Sequence, residues 1–140
     1  MYRIKILSIG KTKEIWLQSA FDAYTKRLQS AASFELIWVK DNTQLIAAAN
    51  KEADPIILDP KGKLYTSETF SQMLLEALQR GGSKATFIIG GAEGIPEEIK
   101  RMGQLVSFSP LTFTHQITRL ILIEQIYRGL EIARGSQYHK

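Results

Sequence analysis

The sequence predicts an α/β fold: a mostly parallel sheet covered by helices on both faces, built as a single domain over residues 1–140. Three observations predict it. Strand-like and helix-like segments alternate from end to end, the pattern of a sheet with helical crossovers. No repeat, linker or composition shift marks a domain boundary, and 140 residues is about one domain's worth. Apolar residues make up 44% and charged residues 23%, an ordinary globular balance. A chain of this length buries roughly two-thirds of its unfolded surface, enough for a core.

The elements read in order as follows. Tyr2 to Ile9 is a β-rich segment closed by Gly10. Ile15 to Leu28 places Ile15, Phe21, Tyr24 and Leu28 at helical spacing. Phe34 to Val39 is a second strand, and Asn42 or Thr43 caps a short helix through Ala49. Pro55 to Leu58 is a third strand, ending in the turn signature Asp59-Pro60-Lys61-Gly62. Ser67 is a good N-cap for a helix from Glu68 to Arg80, stopped by Gly81-Gly82. Ala85 to Ile89 is a fourth strand running into Gly90-Gly91-Ala92-Glu93-Gly94. Pro96 then starts a helix as its first residue, with Glu97 and Glu98 in the acid-favouring first turn. Leu105 to Phe108 is a fifth strand, 109–114 a loop, and a long final helix runs to about Arg134. In such sheets ligands sit beyond the carboxyl ends of the strands. If the last three strands are neighbours, the loops 59–66, 90–95 and 109–114 line one crevice.

Composition removes several function classes. There is no cysteine, hence no disulfide, thiolate metal site or thiol nucleophile; this suits a reducing, cytoplasmic setting. His115 and His139 are the only histidines, so a histidine-based metal site is not expected. The start, Met1-Tyr2-Arg3-Ile4-Lys5, reads as a strand and not as a secretion signal. Arg119, Glu124 and Arg128 interrupt the longest apolar run, so no membrane span is expected. A formal charge of +4 and a pI near 9.4 lean toward an anionic partner.

Five segments stand out. Ile9-Gly10-Lys11-Thr12 resembles the tail of a phosphate-binding loop, but Lys5 stands where that pattern needs glycine, and a turn after the first strand explains it better. The cluster Gly90-Gly91-Ala92-Glu93-Gly94 lets backbone approach a ligand closely, as would a plain tight turn. Glu93, Glu97 and Glu98 there would repel a phosphate, whereas a sulfonium cation is tolerable. Ser107 to His115 is rich in hydroxyls and apolar side chains, which suits an adenine ring; a buried connection before a helix has the same composition. Ile117, Leu120, Ile121, Leu122, Ile123, Ile126, Leu130 and Ile132 point around most of the last helix, the mark of burial on two sides, one of them open to a second subunit. His115 and Arg119, then Glu124 and Arg128, interrupt it at i,i+4 spacing; a Glu–Arg pair of this kind is more often structural than catalytic. The tail Tyr138-His139-Lys140 adds a ring, an imidazole and a cation.

Together these segments are more specific than any one of them. Leu58-Asp59-Pro60-Lys61-Gly62-Lys63, Ile89-Gly90-Gly91-Ala92-Glu93-Gly94, and Thr112 to Gln116 through Glu124-Gln125-Ile126-Tyr127-Arg128 to Tyr138-His139-Lys140 resemble the RlmH family. These are SPOUT-class enzymes that methylate N3 of a pseudouridine in 23S rRNA. The likeness covers nearly the whole chain, although the region around 41–54 is shorter than the family pattern and Thr114 replaces a common proline. It implies a C-terminal trefoil knot, an antiparallel-helix homodimer, and S-adenosyl-L-methionine contacts on Leu58, on Gly90, and on Phe108, Ser109, Pro110, Leu111, Thr112 and Phe113. The RNA partner, 23S rRNA within the large subunit or whole ribosome, would be met by the tail and a basic surface shared between subunits.

For that reaction the imide nitrogen must lose a proton, which nominates His139 or, less well, His115 as base. Arg119 or Arg128 could instead stabilise the uridinate, and Tyr138 could stack on the extruded base. The rivals are a SPOUT methyltransferase acting on another RNA such as tRNA, and a non-catalytic ribosome-binding factor with the same fold. A flavodoxin-like nucleotide binder is disfavoured by the acidic residues where phosphates would sit.

Overall fold

A computed structural model describes residues 1–10 and 14–139. Five strands form one parallel sheet in the order β2-β1-β4-β3-β5. They are β1 (Tyr2–Ile9), β2 (Ala32–Val39), β3 (Ile56–Leu64), β4 (Lys84–Ile89) and β5 (Gln104–Ser107). The helices are α1 (Ile15–Leu28), α2 (Asn42–Ala49), α3 (Ser67–Arg80), α4 (Glu97–Lys100) and α5 (His115–Ala133). The period-2 geometry of a strand explains how they divide. Ile4, Ile6, Ile56, Leu58, Phe87 and Ile89 face a core shared with α1, α3 and α5. Their neighbours Leu7, Ile57 and Ile88 face a smaller core with Leu45 and Ala49 of α2 and Ile99 of α4. Both faces are covered, as a parallel sheet requires.

Four boundaries differ from the sequence expectation. Asp41, not Asn42 or Thr43, caps α2, its carboxylate accepting from the Gln44 amide. Thr66, not Ser67, caps α3, in a capping box with Thr69. Pro96 sits one position before the four-residue helix α4 as its N-cap. These shifts are the usual uncertainty of helix ends. The predicted turn 59–62 is an excursion inside β3: Leu58 and Lys63 both stand opposite Val106 of β5. A β-carbon on Gly62 would come within 2.6 Å of the Leu105–Val106 backbone, so only glycine lets the excursion lie flat against β5.

Strands β4, β3 and β5 are neighbours, so the condition for one shared crevice at their carboxyl ends is met. Among the described residues no helix is long and apolar enough to cross a membrane, and no group of three or more His, Cys, Asp or Glu could hold a metal ion. The loop resembling a phosphate-binding tail falls largely on residues 11–13, outside the described residues.

Candidate active site

A cavity of about 980 Å³ opens at the carboxyl ends of β3, β4 and β5. Its floor is Leu58, where β3 leaves the sheet for its excursion, with Ile89 and Val106, the last apolar residues of β4 and β5. One wall is the glycine loop, closed by a hydrogen bond from the Gly94 amide to the Gly91 carbonyl at 3.0 Å. A β-carbon on Gly90 would sit 2.9 Å from the Gly94 backbone and 3.0 Å from Ile95 Cδ1. Glycine there is a packing requirement that brings bare backbone to the cavity.

The facing wall is the segment from Ser107 to Thr118. Its hydroxyls organise it: Ser107 Oγ donates to the Ser109 carbonyl at 2.9 Å, and the Leu111 amide donates to Ser109 Oγ at 2.9 Å. Thr114 caps α5 by accepting from the Ile117 amide at 3.2 Å. The buried amide oxygen of Gln116, in this wall, has no partner among the described residues. An unmet buried acceptor is unfavourable until a donor reaches it.

At the rim, Asp59 is buried at 7% exposure; its Oδ1 accepts the Lys61 amide and its Oδ2 lies 3.4 Å from Lys100 Nζ. Lys100 also reaches Glu97 at 3.4 Å, which with Asp59 holds its pKa above the usual lysine value. Trp16 stands at the rim, 62% exposed.

Of the predicted cofactor contacts, Leu58, Gly90, Phe108, Ser109, Leu111, Thr112 and Phe113 line this cavity; Pro110 lies in the same loop without facing it. His115 lines it too, and burial, then the nearby Arg119 charge, pulls its pKa below the ordinary imidazole value. Arg119 points elsewhere. At 1% exposure it donates to Ser8 Oγ (2.8 Å), the Ile9 carbonyl (2.7 Å) and the Gly10 carbonyl (2.6 Å), with Trp38 stacked 4.4 Å from its guanidinium carbon. Burial draws its pKa down to about 10, so it stays charged at neutral pH and clamps the carboxyl end of β1.

Arg128, Tyr138 and His139 form a second cluster, about 20 Å further along α5 at ~1.5 Å per residue. Glu124 is its hub: it pairs with Arg128 at 3.1 Å and accepts the Tyr138 hydroxyl at 2.8 Å. Burial and that bond push the Tyr138 pKa up, so the phenol remains protonated. Arg128 lies over the Tyr138 ring at 4.8 Å, and Tyr127 packs edge-on against it at 4.7 Å. His139 bridges Arg128 (3.0 Å) and Glu68 of α3 (2.6 Å). One chain therefore keeps the tail cluster apart from the cavity. Sequence reasoning missed Gln116, Lys100, Trp16 and Glu68, since no local pattern marks residues that meet only through tertiary packing.

The sheet-end cavity walled by a glycine loop and a hydroxyl-stapled loop lies in a chain similar over its whole length to known methyltransferases. The family model described as predicted SPOUT methyltransferase matches residues 2–139. A protein named ribosomal RNA large subunit methyltransferase H from Protochlamydia amoebophila (strain UWE25) is 54% identical over 140 residues, covering 100% of both chains. The chain belongs to the SPOUT methyltransferases, in the RlmH family. Proteins of the same name from Alkaliphilus oremlandii (strain OhILAs) and Streptococcus thermophilus (strain CNRZ 1066) are 40% and 39% identical. Those matches cover 98% and 99% of this chain and 99% of each relative. The solved structure of TrmJ from Z. mobilis ZM4 aligns with 91% of this chain and 69% of its own at 6% identity and a TM-score of 0.47, too loose a likeness to argue from. The RlmH family likeness runs through every element that builds the cavity and the tail cluster.

Proposed function

We propose that this chain is an S-adenosyl-L-methionine-dependent rRNA methyltransferase that methylates N3 of a pseudouridine in 23S rRNA, working in the cytosol as a homodimer of single-domain subunits. The observation that carries the reading is the convergence of three strand-end loops on one cavity, in a chain related over its whole length to proteins named for rRNA methylation. The residues fit the cofactor. The cavity volume is near the top of the roughly 300–1,000 Å³ range of small-molecule sites. Apolar walls suit an adenine ring, the unmet Gln116 oxygen suits an amino donor, and the Glu93 carboxylate suits a cation where a phosphate would be repelled. Leu58, Gly90, Phe108, Ser109, Leu111, Thr112 and Phe113 would hold the cofactor; Pro110 would act by shaping the loop. When bound, the cofactor supplies an electrophilic methyl group on sulfur.

The protein's own contribution is alignment and proton removal. The tail brings a phenol, a guanidinium and an imidazole, and a second subunit accounts for how they meet the cavity. Ile117, at the cavity edge, is 40% exposed and Ile121, one turn further along α5, is only half-buried, so both leave apolar surface open to a second helix. Pairing two such helices antiparallel sets the carboxyl half of one beside the amino end of the other. The tail of each subunit then approaches the cavity of its partner, with the chain threaded through the family's trefoil knot. In this arrangement His139 takes the proton from N3, Arg128 faces the uridinate or a phosphate, and Tyr138 offers a ring for stacking. His115, kept neutral in the cavity wall, is the alternative acceptor, favoured by its place in the same chain's cavity. Arg119 supports the site by fixing the end of β1.

Labelled S-adenosyl-L-methionine with ribosomes from a strain lacking this protein tests the reading: label should appear at N3 of a 23S pseudouridine. Tight cofactor binding without transfer to any large subunit would move the substrate to another RNA such as tRNA; no cofactor binding would sink the enzymatic reading. The shared site is tested by mixing His139→Ala subunits with Gly90→Ala subunits. Activity should reappear in the mixture only if tail and cavity come from different chains.

A further inference from the structure

The tail cluster holds more hydrogen-bonding information than the reaction above uses. Arg128 Nη1 stands 3.0 Å from His139 Nδ1, and the far nitrogen, Nε2, stands 2.6 Å from Glu68 Oε1. A guanidinium has donors only and keeps its proton, so Nδ1 accepts. The single proton of the neutral ring is then on Nε2, which donates to the Glu68 carboxylate. Both contacts agree on one tautomer.

Neither partner is loosely placed. Glu68 lies in the first turn of α3, whose start is closed by the Thr66–Thr69 capping box. The bond to His139 is the foremost cause holding the Glu68 carboxyl below its usual pKa. Arg128 is fixed by Glu124 through Nη2 (3.1 Å) and Nε (3.3 Å). Glu124 also accepts from the Tyr138 hydroxyl and from Gln125 Nε2 at 2.8 Å each. Gln125 Oε1 in turn accepts from Ser67 Oγ at 2.9 Å, tying α5 to the start of α3 beside Glu68.

We propose that Glu68 is a positioning residue for His139: it holds the ring in the Nε2–H tautomer, so that Nδ1 is the nitrogen that takes the proton. In the resting chain Arg128 occupies that acceptor. Guanidinium groups pair favourably with phosphate, so an RNA phosphate competing for Arg128 uncovers Nδ1 as substrate arrives. Pseudouridine N3 then gives its proton to Nδ1 and bonds to the methyl carbon. The carbon–sulfur bond breaks with its electron pair left on sulfur, and the new imidazolium keeps Nε2–H on the Glu68 carboxylate. The proposal rests on the reading of His139 as proton acceptor, but the tautomer itself is a property of the resting protein.

The test is ¹⁵N NMR of the full-length protein labelled at histidine, at alkaline pH, with His115→Asn to assign the two residues. His139 should show a protonated Nε2 and an unprotonated Nδ1. In Arg128→Ala, where Glu68 alone orients the ring, that pattern should persist, and in Arg128→Ala/Glu68→Ala the two nitrogen shifts should move toward each other as the tautomers mix. In Glu68→Ala turnover on ribosomes should fall about 10-fold, less than the roughly 100-fold or greater loss expected for removing a general base, with cofactor affinity unchanged. Glu68→Asp should recover part of both signals. A wild-type ring protonated at Nδ1, shifts unmoved when Glu68→Ala is added to Arg128→Ala, or undiminished turnover in Glu68→Ala would each overturn the proposal. If the wild-type protein methylates no ribosome, the functional reading fails, and the nitrogen shifts still decide the role of Glu68.

Discussion

Replacing Arg119 by Met tests whether the buried guanidinium organises the site. Met fills much of the volume but removes the bonds to Ser8 Oγ and to the Ile9 and Gly10 carbonyls. A hydrogen bond from a charged donor contributes about 1.5–3 kcal/mol, and the stack on Trp38 about 1 kcal/mol more. Against this stands relief from burying a charge, a penalty of several kcal/mol. The acceptors decide the balance, because Ser8 is buried and the two carbonyls part-buried, and all three lose a donor. The expected net loss is about 3–5 kcal/mol, from three acceptors left without a donor at about 1–3 kcal/mol each, less the relief of the buried charge. Urea unfolding followed by tryptophan fluorescence, at one fixed protein concentration because association shifts apparent stability, reads it directly. With a slope of about 2 kcal/mol per molar urea, the midpoint should drop by roughly 1.5–2.5 M. Cofactor affinity should fall as well, since Glu14, Trp16 and Leu17, just beyond the clamped end of β1, line the cavity. A midpoint shift below about 0.5 M would refute the claim that Arg119 anchors the end of β1.

Three further outcomes follow from the same geometry. Gly90→Ala forces a methyl group against the Gly94 backbone at 2.9 Å; the loop should open and cofactor affinity should fall at least about 10-fold, near 1.4 kcal/mol, by calorimetric titration. His115 has a folded-state pKa below 6.5, so in acid the unfolded chain takes up its proton first and stability is lost as pH falls from 6.5 through the folded value. His115→Gln should therefore lose less melting temperature than wild type between about pH 7 and pH 5, and equal losses would contradict the buried, neutral imidazole. Ser71→Ala removes the 2.6 Å bond from a buried hydroxyl to the Gly129 carbonyl where α3 meets α5; it should cost about 1 kcal/mol in urea unfolding without changing methyl transfer.

Much of the site was legible because it is local. The loops 59–66, 90–95 and 109–114 follow strands in a βα alternation, and in a parallel sheet such loops face one edge; Leu58, Gly90 and residues 108–113 as contacts came from the family resemblance. The excursion at 59–62 was read as a turn because its Asp-Pro-Lys-Gly chemistry is that of a turn; that β3 resumes beyond it depends on β5, which no local signal contains. Arg119 was a candidate for the uridinate because an arginine beside a ligand loop looks functional. Its direction toward β1, over a hundred residues away in sequence, is decided by which strand α5 crosses.

By itself the sequence determined the alternation of elements, hence the parallel sheet, the glycine loop, the hydroxyl-rich wall and, through whole-length likeness, the family. These are encoded in short-range periodicity, turn chemistry and residue order, which survive without knowing what packs on what. Only the tertiary structure decided the strand order, the joining of three loops into one cavity, the inward role of Arg119 and the meeting of Glu68 with His139. Those contacts join residues far apart in the chain, where the driving force is burial shared among many side chains, and no single segment carries the signal.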